Sequence, residues 1–251
     1  MSPPVRIVFF GGLGEIGRNC FCLEVDDRIL IVDCGIMFPE SDMPGIDLVL
    51  PDFTYLRENA DRVEAAFLTH AHEDHAGGLA FLLRDVSFPV YGSPLSLGLA
   101  RNRIEEAGML GRTELIPVHD GERRHIGPFD CEFIPVTHSV PHANAIAFFT
   151  PQGTILHSGD WKLDLTPVDG RRTVRTDKPS VSHPRRRTFT CLASSIPALR
   201  IARARGVPPS SPSPAGQAVH ASIATTLVAS GLTSTATGSS TNAPFVRYPA
   251  S

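Results

Sequence analysis

The stretch Thr69-His70-Ala71-His72-Glu73-Asp74-His75 constrains this chain more than any other. It follows an apolar run, Val63 to Leu68, that reads as a buried strand carrying one charge. Three imidazoles and two carboxylates then fall within six residues, His70 to His75. Such groups are costly to bury unless they are paired or bound to a metal. In a tight turn off a strand end, His70 and His72 lie two apart and point the same way. Asp74 and His75 follow a half-turn later and face a neighbouring position. That pattern suits two adjacent metal ions, each beginning with two protein ligands. Imidazole nitrogen and carboxylate oxygen are ligands that zinc accepts, at roughly 2.0–2.2 Å. The competing reading is a solvated polar loop with chance histidines. It fits poorly, because ten histidines in 251 residues rarely place three in six positions.

The chain before this cluster reads as an antiparallel meander. Val5 to Phe10 is β-branched and aromatic, Asn19 to Val25 is a second strand, and Asp26-Asp27-Arg28 is a turn into Ile29 to Gly35. Gly12-Leu13-Gly14-Glu15-Ile16-Gly17 is a literal G-x-G-x-x-G, which raises a dinucleotide site. That fingerprint requires a helix to start inside the glycines, and a strand pattern follows instead. The glycines are expected to let backbone pass close to the site. Asp33 ends a wholly apolar strand, so its carboxylate needs partners. It is either a strand-end turn residue or an outer acceptor that orients a metal ligand, and the second reading is preferred. Residues 37–50 are a surface loop, and Phe53 to Ala60 is a short helix with Asp52 as its cap.

Beyond the cluster, Leu79 to Arg84 opens a helix, Pro89 to Gly92 is a short strand, and Ser93 starts a helix over 94–107 that Gly108 closes. Leu115–Val118 and Phe129–Pro135 are further strands, with turns at Asp120-Gly121 and Gly127-Pro128. The run Phe133 to Ser139 repeats the logic of the main cluster, an apolar strand ending in a histidine. His138 is the candidate third ligand beside His70 and His72, with His142 an alternative. Ala145–Thr150 and Thr154–Ser158 form a hairpin around Pro151-Gln152-Gly153. Asp160 follows at the strand end, where a carboxylate shared by two mutually repelling cations is wanted. Asp164 and Asp169 are its rivals, and the lone Trp161 is expected to pack beside the site.

Charge divides the chain. Residues 1–170 hold 25 of the 26 acidic and 12 of the 23 basic residues, whereas 171–251 hold one acid and 11 bases. The second segment contains Arg185-Arg186-Arg187, a Pro/Ser run at 208–214 and a Ser/Thr/Ala/Gly-rich stretch at 221–242. It is too poor in large apolar groups to offset its ordering entropy, so 171–251 is expected to be a disordered basic tail on a domain spanning 1–170. No run of eighteen apolar residues exists, and no signal peptide is apparent, so a cytoplasmic protein without membrane contact is expected. The five cysteines, Cys20, Cys22, Cys34, Cys131 and Cys191, lack scaffold spacing and read as buried reduced thiols.

His70-x-His72-x-Asp74-His75, then His138, then Asp160, in that order on alternating β and α pieces, resembles the metallo-β-lactamase fold. Asp33 matches that family's early aspartate. The flanking text over about residues 5–173 is closer to one branch, bacterial ribonuclease J. The matching stretches are Phe10 to Gly17, Leu68 to His75, Thr137 to Pro141 and His157 to Asp164. The resemblance implies an α/β αββα-type sandwich, here the N-terminal portion only, with about half of the two-sheet core absent, an open sheet face and unpaired edges. It implies two Zn2+ ions: one held by His70, His72 and His138, the other by Asp74 and His75, with Asp160 bridging. Asp74 and Asp160 are then the catalytic carboxylates, Asp33 orients a ligand, and a hydroxide between the metals attacks a phosphodiester in line.

The implied partner is single-stranded, 5′-monophosphorylated RNA, and a homo-oligomer is compatible with the sequence. The family takes a further histidine for its second zinc from later sequence. Only His183 and His220 lie beyond His157 here, in other contexts, so the second zinc is expected to be weaker. The chain is expected to be truncated, which makes its inherited function and its own competence separate questions. Two alternatives remain open: a thioester or lactone hydrolase on the same fold, and a non-catalytic metal- or RNA-binding fragment.

Overall fold

The computed structural model describes residues 5–150 and 153–173. The expected tail, including Arg185-Arg186-Arg187 and Cys191, lies outside the described residues apart from 171–173. Strands β1 (Arg6–Gly11), β2 (Cys20–Val25) and β3 (Arg28–Val32) form the expected antiparallel meander. Helix α1 (Thr54–Glu58) leads into β4 (Val63–Phe67), which pairs parallel with β3. Next come the short turns α2 (Glu73–Ala76) and α3 (Leu79–Leu82), then β5 (Val90–Gly92), α4 (Pro94–Glu106) and β6 (Leu115–Pro117). The last strands are β7 (Arg123–Ile126), β8 (Phe129–Pro135), β9 (Asn144–Thr150) and β10 (Gly153–His157). Among the described residues these make a six-stranded sheet in the order β1-β2-β3-β4-β5-β6 and a four-stranded sheet in the order β10-β9-β8-β7.

Strand alternation sends each strand's side chains to two different layers. In β2, β3 and β4, Cys20, Cys22, Ile29, Ile31 and Ala66 face the helices, where Leu79, Leu82, Leu97 and Ile104 cover them. The intervening Phe21, Leu23, Leu30, Val32, Ala65 and Phe67 face the second sheet and meet Phe129, Cys131, Phe133, Ile146, Phe148 and Ile155. Burial on both faces explains why these strands read as unbroken apolar runs. Phe67 sits at the centre, with ring centroids 4.9 Å from Phe133 and 6.2 Å from Phe148. Glu24 is the polar exception on the helix side, and Arg6 pairs with it at 2.7 Å.

The strands present pack as two sheets on a shared apolar interior. Among the described residues, no helix covers the outer face of the four-stranded sheet, which presents Asp130, Glu132, Ile134 and Phe149. Arg123 partly screens this face, its guanidinium 4.4 Å from the Phe149 ring centroid. Ser93 caps α4 by accepting from the Ser96 N–H at 3.2 Å, and Gly108 follows the helix at φ +71°. Asp52 lies one residue before the α1 cap position and accepts from the Thr54 N–H at 2.9 Å. The expected Leu79–Arg84 helix is a four-residue turn, and α2 precedes it unanticipated. The four described cysteines are free and buried. No described helix is long and apolar enough to cross a membrane.

Candidate metal centre

The candidate residues sit where strands end. β3 and β4 run parallel, so Asp33 and the Thr69–His75 segment leave the first sheet at one edge. β8 and β10 both run antiparallel to β9, so His138 and Asp160 leave the second sheet together. Backbone bonds fasten these exits. The Asp33 N–H donates to the Phe67 carbonyl at 2.8 Å, Asn144 N–H to Thr69 at 2.9 Å, and Lys162 N–H to Thr137 at 2.7 Å. The Thr137 hydroxyl returns a bond to the Lys162 carbonyl at 2.6 Å, which holds the His138 and Asp160 segments side by side.

The α2 turn is held from the other side by residues 34–36. The Cys34 N–H donates to the His75 carbonyl at 2.7 Å, and the Ile36 N–H to the Glu73 carbonyl at 2.9 Å. The approach is so close that a Cβ on Gly35 would lie 1.7 Å from the Asp74 carbonyl oxygen. The glycine-rich loop starts no helix, so a dinucleotide fingerprint lacks its structural context. Arg18 closes that loop through Glu15, with bonds of 2.6 and 2.8 Å.

Two groups of donor atoms result. His70, His72, His138 and Asp160 form one, and Asp74, His75 and Asp160 the other; within each group one ligand atom per residue lies within 4.8 Å of the rest. In the first, His72 Nδ1 faces His70 Nε2 at 3.0 Å and His138 Nε2 at 3.1 Å. A ring nitrogen has one proton or one lone pair in its plane, so it serves only one of those two contacts. Tetrahedral zinc with nitrogens at about 2.0–2.1 Å separates them by roughly 3.3 Å. The triangle of imidazoles fits a cation better than it fits hydrogen bonding. In the second group, His75 Nε2 lies 3.6 Å from Asp74 Oδ2 and 3.5 Å from Asp160 Oδ1. Asp160 contacts both groups, its other oxygen lying 3.6 Å from His138 Nε2. The donor set, imidazole nitrogen and carboxylate oxygen, suits zinc.

Asp33 is buried and takes φ +55°. Its Oδ1 accepts from the Thr69 N–H, and its Oδ2 accepts from the Thr69 hydroxyl and His75 Nδ1, all at 2.8 Å. The carboxylate thus turns His75 so that Nε2 faces the other donors. Burial works against charge on Asp33, but His75 and His157 together outweigh it and hold the carboxyl well below the usual range. Burial alone would strip the proton from His75. The Asp33 carboxylate reverses this, with Asp160 assisting, and raises the imidazole to about 10. His70 is pushed the other way, well below its ordinary value, by burial and then by the charge on His75. Burial takes His138 down to about 4, against the pull of Asp160.

Three neighbours carried no role in the sequence reading. Asn19 Nδ2 lies 3.2 Å from Asp74 Oδ2 and 3.1 Å from His75 Nε2, and its only signal was a polar residue opening an apolar strand. Thr69 bonds Asp33 as above. His157, buried, brings Nε2 to 3.7 Å from Asp33 Oδ2, and neither ring nitrogen has a hydrogen-bond partner. Its strand register places it on the inward face with Ile155. The rivals fall elsewhere: His142 joins neither group, while Asp164 and Asp169 accept from the Thr166 and Arg171 N–H groups as turn residues. Trp161 packs on Val136, Ala143 and Ala145.

The sequence model of the Metallo-beta-lactamase superfamily matches residues 13–193. Ribonuclease J from Synechocystis sp. is 47% identical over 168 residues, covering 66% of this chain and 26% of that protein. Ribonuclease J 1 from Streptococcus pyogenes is 44% identical over 164 residues, covering 65% and 29%. The chain therefore spans between a quarter and a third of the length of these curated relatives. The solved metallo-beta-lactamase fold protein YhfI from Bacillus subtilis aligns at 19% identity and TM-score 0.46 over 63% of each chain.

Proposed function

The chain belongs to the metallo-beta-lactamase superfamily, and from that premise we propose that it is a dinuclear zinc hydrolase of the ribonuclease J type, cutting phosphodiester bonds in RNA processing or decay. The observation that carries this reading is the pair of donor groups sharing Asp160. The identity to ribonuclease J supports RNA as the substrate. In this reading His70, His72, His138 and Asp160 hold the first zinc, and Asp74, His75 and Asp160 the second. Bound zinc supplies an acidified water at neutral pH and neutralises charge building on the phosphate. The chain's part is placement. Asp160 would serve both ions, Asp33 orients His75, and Asp74 and Asp160 would be the catalytic carboxylates. The second group offers three described ligands against four in the first, so it is the weaker. Single-stranded 5′-monophosphorylated RNA is the proposed substrate and the cytoplasm the proposed compartment.

The donor set favours one further reading, because such ligands serve hydrolases across the superfamily: turnover of a thioester or lactone. Purified chain with its zinc content measured, offered 5′-monophosphorylated RNA beside a thioester and lactone panel, separates the two. RNA cleavage is expected. Intact RNA with ester turnover overturns the nuclease assignment, and bound zinc without any turnover supports a non-catalytic fragment instead.

A further inference from the structure

We propose that the Thr69 hydroxyl is a positioning group that extends the hold of Asp33 from His75 to His70, so that one buried carboxylate aims an imidazole in each donor group. The inference rests on the reading of this site as a metal centre. Thr69 and His70 are both fully buried. Thr69 Oγ1 donates its single proton to Asp33 Oδ2 at 2.8 Å, which leaves its lone pairs for His70 Nδ1 at 3.0 Å. A hydroxyl that gives its proton to a carboxylate can only accept from the next ring. His70 Nδ1 is therefore the protonated nitrogen, and Nε2, the atom facing His72 at 3.0 Å, carries the free lone pair. On the other side of the same carboxylate oxygen, His75 Nδ1 at 2.8 Å does directly what His70 does through Thr69.

The two arms differ in length, and the difference is informative. His75 meets a full negative charge. His70 meets a neutral oxygen that already gives its proton to that carboxylate, which fixes the ring's tautomer. Thr69 thus lets one carboxylate oxygen orient an imidazole in each donor group.

The test uses Thr69→Val, which keeps the shape and removes the hydroxyl, and Thr69→Ser, which restores it. Zinc titration of the whole chain should show first-group affinity about 10–100-fold weaker in the valine variant, the usual cost of removing an outer partner. The serine variant should stay near wild type. Equal affinity in all three proteins overturns the proposal, as does a serine variant as weak as the valine one, since packing would then explain the loss. Nitrogen NMR of the metal-free wild type supplies an independent reading. His70 protonated at Nδ1 is expected, and a proton at Nε2 overturns the proposal whatever the variants do. A wild type that takes up no zinc sinks the metal-centre reading, and the NMR result still decides the role of Thr69.

Discussion

The two halves of the candidate metal centre share a carboxylate, yet hold their protons in opposite ways. In the half built on His70 and His138, burial keeps the rings neutral, His138 down to about 4. In the half built on His75, the buried Asp33 holds the imidazole protonated up to about 10. The difference comes from the carboxylates around His75, Asp33 first and Asp160 after it. Both His70 and His75 are buried imidazoles at the same strand end, but only His75 touches a carboxylate directly. Burial sets the default proton state of a ring; at His75 the hydrogen-bonded Asp33, with Asp160, overrides it, whereas at His138 Asp160 does not. Lone pairs on His70 and His138 stand ready for a cation, whereas His75 must first release a proton.

The largest effect should come from removing what the halves share. Asp160→Ala takes a donor from both groups, and zinc content measured on the purified chain should fall at both. The affinity loss should exceed the roughly 10–100-fold typical of an outer partner. Loss at one group alone would mean that Asp160 is not shared.

Asp33→Asn should erase the contrast. It leaves His75 without its charged partner, and breaking a buried pair this way costs about 3–5 kcal/mol, read from denaturant melts of metal-free protein at pH 7. The sign with pH follows from the raised value of His75. Its contribution is fully present below pH 6.5 and is lost as pH rises through about 10. Metal-free wild type should therefore lose that stability between pH 7 and 10, and the asparagine variant should not. Parallel curves would remove Asp33 as the cause.

Metal uptake gives a finer comparison. Zinc entering the second group at pH 7 must displace the His75 proton, so its affinity should rise about tenfold per pH unit between 7 and 9. His70 and His138 have no proton to lose in that range, so the first group should change less. Calorimetry in buffers of different ionisation enthalpy counts the released protons, and equal release at both groups would break the distinction. The smallest effect at the site is expected from Cys22→Ser. Cys22 is buried on the helix side of β2, so the melting temperature should fall while zinc content stays at the wild-type level. If zinc is lost with it, the ligand assignment is wrong.

Much of this arrangement is legible in the sequence where a residue's role is local. β2, β3 and β4 announce themselves because layers on both faces demand unbroken apolar runs. His70, His72, Asp74 and His75 stand out because so many polar groups in one turn need a shared purpose. β7 is missed because Arg123-Arg124-His125 carries no apolar alternation, its arginine pairing with Asp130 on the next strand. The α2 turn is missed because four residues are too few to show a helical period. The contribution of Asn19 is invisible for another reason: its partner lies 55 residues away, and nothing near it in the chain signals the bond. The parallel pairing of β3 with β4 is likewise a tertiary choice, made by the layers that cover both strands.

Residues 33 and 35 carry opposite obligations toward the same turn. Asp33 matters for the atoms it supplies, while Gly35 matters for the atoms it lacks, since any side chain there would collide with the Asp74 carbonyl. An alanine at 35 would leave every candidate ligand in the sequence and still push the ledge bearing two of them out of place. The accuracy of this centre thus depends on a clearance about one methyl group wide, held open between two stretches of main chain.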